Sequence, residues 1–392
     1  MNILVLAPQP FFQNRGTPIA VRLLVEELAA AGHDIDLLAF HEGQDVTIPS
    51  VSITRIPAML GLSNVGPGFS GKKVCCDALL AMKSVGLVLR HRYDMIHAVE
   101  ESVFIALGLK KLFGLPYVYD MDSCLSRQLK DKYGFLEKET AILEWFEKIA
   151  IRCSSGVIAV CRSLEEMALA LAPDKPVLRL EDISLLGSGP ESGEDIRREY
   201  GISGPIVMYI GNLESYQGID LLLESFALID HAAVKANLVI IGGNEKDIAR
   251  YRKKTGQLQI RDRVYFLGPR PVDQLGWYLR QADILVSPRI QGNNTPMKIY
   301  SYLDSGRPVL ATRLPTHTQV LEDSIAMLAS TDSSEFMQAM VTLILDAEKR
   351  SQLASAAAER VKKEFSRPAF RRKLISFYKD LENEITHSRR CV

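Results

Sequence analysis

Short apolar runs alternate along the first half of the chain with longer segments whose apolar residues recur at helical spacing. The first run, residues 2–7, predicts a buried strand, and residues 19–31 predict a helix that Gly32 ends. Further strands are predicted at 35–39, 51–56, 95–98, 117–120 and 156–160. This alternation is typical of a parallel sheet covered by helices on both faces.

The pattern starts afresh after a polar, glycine-rich stretch at residues 187–194. Strands are then predicted at 205–211, 236–242, 264–267, 284–287 and 309–311, and helices at 219–229, 334–364 and 368–386. We therefore predict an α/β protein with two doubly wound, Rossmann-like domains that face a central cleft. The predicted parts are an N-terminal domain (1–186), a linker (187–204), a C-terminal domain (205–367) and a closing helix (368–392).

Composition narrows the class of protein. The 392 residues exceed what one hydrophobic core usually serves, and 47 Lys plus Arg balance 47 Asp plus Glu. This balance argues against a partner such as nucleic acid. The six cysteines have no metal-binding spacing and indicate thiols of a reducing compartment. The chain starts on a strand and has no apolar stretch of about 20 residues, so we expect a cytoplasmic protein.

The first candidate site is the loop at residues 211–218, which follows a predicted strand. Gly211 permits a tight backbone turn, and the next helix offers free N–H groups to a phosphate. Asn212 and Gln217 are polar side chains of this loop. An ordinary turn between strand and helix is the alternative.

The second candidate is the polar loop after the predicted strand 284–287. Its polar and cationic residues are Arg289, Asn293, Asn294, Thr295 and Lys298. Such a loop at a helix N-terminus suits hydroxyl groups and a diphosphate. A capped helix with solvated charges is the alternative, but two consecutive asparagines within a dense polar cluster favour a functional loop.

Candidate residues in the N-terminal half also follow predicted strands. Gly16 and Thr17 lie between the first strand and the first helix, where a ligand can approach the backbone, or where Pro18 simply starts the helix. Glu100 and Asp122 follow later strands. A carboxylate there can act as a base or orient a hydroxyl, and it can equally cap a helix.

The loop at residues 57–73 combines apolar residues with lysines. These are Met59, Leu60, Leu62, Val65 and Phe69, followed by Lys72 and Lys73. The combination suggests weak peripheral contact with a membrane, at the inner face, or with a lipid acceptor. Packing of the loop against its own domain is the alternative.

Several of these segments resemble a known family. The motifs are Gly16-Thr17, residues 30–34, 211–220 and 369–385, and above all the Thr-Pro-Met-Lys segment that begins residues 295–309. On these the chain resembles retaining glycosyltransferases of the family 4 type, with the GT-B fold, over nearly its whole length. The resemblance implies a nucleotide-diphosphate sugar as donor and a glycan, polysaccharide or lipid-linked precursor as acceptor. The sequence shows no metal-binding cluster, so we predict a reaction without a metal ion, and with the nucleotide sugar as substrate we predict no cofactor.

The chain departs from this family at the donor site. Where the family has an arginine and a lysine for the donor pyrophosphate, it has Asn212 and Gln217. Where the family has two glutamates, it has Asn293 and Ser301, and a family histidine corresponds to Asp122. The loss of two cations removes charge-assisted hydrogen bonds to a diphosphate.

Arg289 and Lys298 are the predicted substitutes, and they would stabilise the leaving diphosphate. The two asparagines, Thr295 and Ser301 would contact other donor groups, and Asp122 would orient the acceptor or the sugar. The resemblance implies that the departing phosphate helps to accept the acceptor's proton. Domain closure around the donor would exclude water.

Other functions stay open at this point. One alternative is a catalytically inactive GT-B-like protein that binds a nucleotide sugar or a protein partner. Another is a nucleotide-sugar epimerase of the same fold. A dinucleotide-dependent oxidoreductase is disfavoured, because no Gly-x-Gly-x-x-Gly follows the first strand of either domain.

Overall fold

The computed structural model describes residues 1–13, 16–59, 61–63, 65–66, 70–124, 126, 137–187, 193–230 and 233–390. The chain divides into two compact units. The first comprises Met1–Glu181 and Phe370–Val392, and the second comprises Asp182–Ala369.

Each unit is built around one parallel sheet. The first sheet has seven strands in the order β3-β2-β1-β4-β5-β6-β7. They are β1 (Asn2–Pro10), β2 (Asp34–Phe40), β3 (Val51–Arg55), β4 (Met95–Val99), β5 (Tyr117–Met121), β6 (Gly156–Ala159) and β7 (Val177–Arg179). The second sheet has six, in the order β10-β9-β8-β11-β12-β13. They are β8 (Ile206–Ile210), β9 (Asn237–Ile241), β10 (Val264–Gly268), β11 (Ile284–Ser287), β12 (Val309–Thr312) and β13 (Met327–Ala329).

Helices connect the strands. In the first part of the chain they are α1 (Gly16–Ala30), α2 (Gly71–Arg90), α3 (Val103–Phe113), α4 (Glu137–Cys153) and α5 (Arg162–Leu171). They continue with α6 (Ile196–Glu199), α7 (Ile219–Ala227), α8 (Glu245–Gln257), α9 (Leu275–Arg280), α10 (Lys298–Asp304), α11 (Pro315–Thr318), α12 (Ser333–Leu345), α13 (Ala347–Glu364) and α14 (Arg367–Arg390).

Strand β8 illustrates how the apolar runs form strands that are buried on both faces of the sheet. Val207 and Tyr209 pack into one buried cluster, whereas Ile206 and Met208 pack into another. Since successive side chains of a strand point to opposite faces, both faces of the sheet are covered. The predicted α/β, doubly wound architecture is confirmed.

Two expectations about the second half differ from the structure. The predicted helix 334–364 is two helices, because Asp346 adopts an extended backbone and its side chain accepts a hydrogen bond from the backbone N–H of Lys349. The predicted linker 187–204 is not a free connection over its described part. Residues 193–204 belong to the second unit, where the side chain of Ile196 is fully buried.

The C-terminal helix is held in the first unit by a buried polar contact. The hydroxyl of Tyr378 in α14 lies 2.7 Å from Nδ1 of His97, and Nε2 of the same ring lies 3.0 Å from a carboxylate oxygen of Asp120. His97 and Tyr378 are fully buried. This contact joins α14 to β4 and β5.

Candidate functional site

The strand order of the second sheet points to one location for a ligand. The strand order reverses between β8 and its parallel neighbour β11, because β9 and β10 follow on one side and β12 and β13 on the other. Ligands of doubly wound sheets bind at the carboxyl ends of the strands at such a point. Gly211 follows β8 directly, and Arg289 follows β11 by two residues. The two loops contact each other, because the backbone N–H of Ile290 donates to the carbonyl of Tyr216 at 2.9 Å.

Arg289 is the first cation at this location. Its guanidinium donates to the carbonyls of Gln291 at 2.6 Å and Asn294 at 3.2 Å, and it lies over the ring of Tyr216 at 5.1 Å. The side chain is half-buried, and burial lowers its pKa.

Lys298 is the second cation, at the start of α10. Its ammonium donates to Oε1 of Gln217 at 3.1 Å and lies 4.0 Å from the centroid of the Tyr209 ring. Burial, and then the charge of Arg289, hold its pKa well below the usual range for lysine. Neither Lys298 nor Arg289 forms an ion pair with a carboxylate in the described part of the chain. Two desolvated cations that repel each other form a site that favours an anion.

Glycines leave room beside these cations. A Cβ atom on Gly211 would lie 3.3 Å from the ammonium of Lys298 and 3.0 Å from the hydroxyl of Tyr209. Gly218 has φ +73°, and a Cβ atom there would collide with the carbonyl of Pro288. Glycine at these two positions keeps the backbone open beside Lys298 and lets the two loops touch.

The polar residues of the second loop, which follows β11, are held in different ways. The carbonyl of Asn294 accepts from the hydroxyl of Thr316 at 2.6 Å, and that of Asn293 accepts from the amide of Gln319 at 2.6 Å. Both asparagines are therefore held through their backbones. The hydroxyl of Thr295 is buried and has no hydrogen-bond partner among the described residues.

Three other predicted donor residues have internal partners. Ser301 is fully buried, and its hydroxyl accepts from the backbone N–H of Leu185 at 2.9 Å. We correct its predicted donor contact to a structural role. Gln217 is buried with its carbonyl oxygen turned to Lys298, whereas Asn212 is exposed and its backbone carbonyl accepts from Tyr209 at 2.6 Å.

His317 is a residue of this location that the sequence reasoning missed. It is fully buried in α11, and its ring contacts Ser287 at the end of β11 and Thr312 at the end of β12. Burial lowers its pKa to about 3, and the charges of Lys298 and Arg289 contribute to the lowering. A lone histidine in Leu-Pro-Thr-His-Thr carries no sequence signal for such a contact.

Carboxylates gather at the carboxyl ends of β4 and β5 in the first unit. Glu100 accepts a hydrogen bond from the hydroxyl of Ser123 at 3.2 Å, and Glu101 pairs with Lys73 at 2.5 Å. Burial, and then the neighbouring Glu101, raise the pKa values of both Glu100 and Asp77 to about 7. Glu100 is thus suited to proton exchange near neutral pH.

The other predicted residues of the first unit lie near strand ends. Asp122 follows β5 and is half-buried, and Gly16 and Thr17 form the first turn of α1. The preceding Asn14 and Arg15 lie outside the described residues.

Part of the described loop at residues 57–73 packs on its own unit. Val65 is buried in the core, Leu62 packs against that core, and Lys72 donates to the carbonyl of Ser63 at 2.8 Å. Met59 is exposed, whereas Leu60 and Phe69 lie outside the described residues. The contacts of Leu62, Val65 and Lys72 are those of the packing alternative, and membrane contact stays a prediction.

Two features are absent from the described residues. No helix in these parts of the chain is long and apolar enough to cross a membrane. Within the same residues, no group of three or more His, Cys, Asp or Glu side chains could hold a metal ion.

Two family descriptions match most of the chain. "Glycosyl transferase 4-like domain" matches residues 15–180, and "Glycosyl transferases group 1" matches residues 204–346. The chain belongs to the family 4 type of glycosyltransferases. It is 30% identical over 211 residues to the D-inositol 3-phosphate glycosyltransferase of Corynebacterium glutamicum, an alignment that covers 51% of this chain and 50% of that protein. The chain thus spans about half the length of this curated relative.

Solved structures with a similar fold superpose on nearly the whole of this chain. Sucrose-phosphate synthase from Thermosynechococcus elongatus superposes with a TM-score of 0.78 at 19% identity, over 98% of this chain and 99% of that chain. HepE from Anabaena, solved in complex with UDP, superposes with a TM-score of 0.74 at 18% identity, over 97% and 100%. The fold is GT-B.

Proposed function

We propose that this protein is a glycosyltransferase that moves a sugar from a nucleotide-diphosphate donor to an acceptor hydroxyl with retention of anomeric configuration. The observation that carries the proposal is the pair Arg289 and Lys298. These two desolvated cations lie at the switch point of the second sheet without a carboxylate partner in the described part of the chain. Family membership and the UDP bound to HepE support a nucleotide diphosphate as the anion.

The reaction requires charge stabilisation at the diphosphate. The bond between the sugar C1 and the β-phosphate oxygen breaks, the acceptor oxygen bonds to C1, and the acceptor proton passes to the departing phosphate. Negative charge therefore grows on the diphosphate as the bond breaks. Arg289 and Lys298 are desolvated before the donor arrives, so their charges act on the diphosphate with little screening by water.

The other predicted residues receive roles within the same proposal. Thr295 offers the donor its hydroxyl, which has no partner among the described residues, while Asn293 and Asn294 shape the loop around it. In the first unit, Asp122 and Glu100 orient the acceptor hydroxyl. The acceptor class is a glycan, a polysaccharide or a lipid-linked precursor, and the reaction uses no metal ion.

Calorimetry with nucleotide diphosphates tests the donor site. Arg289→Met and Lys298→Met should each weaken UDP or GDP binding by about 10- to 100-fold, because each removes a charge-assisted contact of roughly 1.5–3 kcal/mol. The corresponding monophosphate should lose less affinity, since it lacks the β-phosphate. Lys253→Ala, which removes an exposed cation on α8 of the same unit, is the matched control. Equal diphosphate affinity in the parent and both Met variants would refute the assignment.

Turnover and stereochemistry need a separate measurement. Slow hydrolysis of a nucleotide sugar, followed by proton NMR before the released sugar mutarotates, reports the first anomer formed. Release of the donor's own anomer supports retention, and the opposite anomer contradicts it. Tight binding without release from any donor, with or without acceptors, would favour the inactive alternative.

A further inference from the structure

The ring of His317 joins three elements at the donor site. Its Nε2 lies 2.9 Å from the hydroxyl of Ser287, and its Nδ1 lies 2.9 Å from the backbone carbonyl and 3.0 Å from the hydroxyl of Thr312. All three residues are fully buried. The contacts link the carboxyl ends of β11 and β12 through α11.

These contacts determine the tautomer. A backbone carbonyl can only accept, so Nδ1 must carry the proton that is directed at Thr312. In a neutral ring Nε2 is then an acceptor, and the hydroxyl of Ser287 donates to it. The pKa of His317, lowered to about 3 chiefly by burial, agrees with a neutral ring.

The hydrogen bonds continue from Thr312 to the cation. Its hydroxyl donates to the backbone carbonyl of Arg289, which fixes the backbone from which the guanidinium extends. The same guanidinium donates to the carbonyl of Asn294 at 3.2 Å, and Thr316, beside His317 in α11, donates to that carbonyl at 2.6 Å. His317 and its neighbour therefore hold Arg289 at both ends.

We propose that His317 is a positioning residue for the donor diphosphate: as the neutral Nδ1–H tautomer it orients the Thr312 hydroxyl toward the Arg289 carbonyl and so sets the place of the guanidinium. The inference rests on the proposed function, since it assigns Arg289 to the diphosphate. His317 itself touches no phosphate in this arrangement. Its loss should weaken the diphosphate contact and spare the nucleoside contacts.

Two substitutions separate the two nitrogens of the ring. In His317→Asn the side-chain amide takes the place of Nδ1 and keeps a donor toward Thr312. In His317→Gln the amide takes the place of Nε2, keeps an acceptor toward Ser287 and leaves Thr312 without its donor. We expect His317→Gln to weaken UDP binding about 10-fold and UMP binding less than about 3-fold, with His317→Asn close to the parent for both.

A double-mutant cycle with Arg289→Met distinguishes positioning from general damage. In the Arg289→Met background, His317→Gln should cause no further loss of UDP affinity, because the group it positions is already absent. Thr312→Val removes only the Thr312 hydroxyl and should repeat the effect of His317→Gln. This second variant keeps the test valid if His317→Gln does not fold. Thr342→Val is the matched control, since the Thr342 hydroxyl donates to the backbone carbonyl of Gln338 on the exposed face of α12.

The outcomes separate this inference from the function on which it rests. A diphosphate-specific loss in His317→Gln and Thr312→Val that vanishes in the Arg289→Met background supports the inference. If Arg289→Met weakens UDP binding but His317→Gln and Thr312→Val bind UDP like the parent, the inference is overturned and the proposed function stands. A loss of equal size in both backgrounds also overturns it. A parent protein that binds no nucleotide diphosphate overturns the proposed function together with the inference.

Discussion

Acidification is expected to destabilise the second unit through His317. Burial lowers the pKa of this ring from an ordinary 6.5 to about 3. Between these values the unfolded chain binds a proton that the folded chain does not bind. The free energy of unfolding should therefore fall as the pH drops below 6.5, by about 1.4 kcal/mol per pH unit. At pH 4.5, two units below, the loss is about 2.7 kcal/mol, a large part of a typical domain stability of roughly 5–15 kcal/mol.

The two tryptophans of the chain allow this loss to be assigned to one unit. Trp145 lies in α4 of the first unit and Trp277 in α9 of the second. In a Trp145→Phe background, fluorescence during urea unfolding reports Trp277 and hence the second unit. Asp77 and Glu100 have raised pKa values and oppose the trend, because they favour the folded state at low pH, but both belong to the first unit.

The comparison is between the Trp145→Phe protein and the same protein with His317→Asn, at pH 7.5 and 4.5. Asparagine does not titrate, so the variant should lack the contribution of about 2.7 kcal/mol. Its stability at pH 7.5 need not equal that of the parent, because only the change with pH is used. The reasoning fails if both proteins lose the same free energy of unfolding between the two pH values.

Two further substitutions test the packing that supports the site. Gly218→Ala should lower the free energy of unfolding by at least about 1–2 kcal/mol in urea and weaken UDP binding, because a left-handed backbone and the carbonyl of Pro288 both exclude a Cβ atom; unchanged values of both would contradict this. Tyr378→Phe should destabilise the first unit by about 1–2 kcal/mol, since the ring of His97 loses its buried partner, and calorimetry should show unchanged UDP affinity; a parent-like unfolding midpoint would count against it.

The sequence predicted the long strands well, because their apolar runs are buried on both faces. It did not predict β7 and β13, each of which is three residues long at or near a sheet edge. A run of that length does not differ from a loop in its pattern. The break at Asp346 was missed for another reason. Apolar spacing continues on both sides of it, and only the capping hydrogen bond to Lys349 separates the two helices.

The sequence predicted those residues of the candidate site that stand out by their type and by their position after a strand. Arg289 and Lys298 stand out in a polar loop after a strand, and their catalytic roles stay predictions. Ser301 was assigned to the donor from its motif position, but helical geometry turns it inward to Leu185. His317 acquires its contacts from the parallel pairing of β11 with β12, which brings Ser287 and Thr312 together. That pairing cannot be read from the residues next to it in the sequence.

The departures from the family's donor motif form one consistent arrangement. The family resemblance implies a lysine where this chain has Gln217, yet the carbonyl oxygen of Gln217 accepts a hydrogen bond from Lys298 at 3.1 Å. A lysine there could not accept, and it would add a third cation beside Lys298 and Arg289, whose charges already repel. Glutamine, in contrast, orients Lys298 without neutralising it. The loop at residues 211–218 thus lacks positive charge, which Arg289 and Lys298 carry instead. Its Gln217 suits this arrangement because it accepts the hydrogen bond of Lys298.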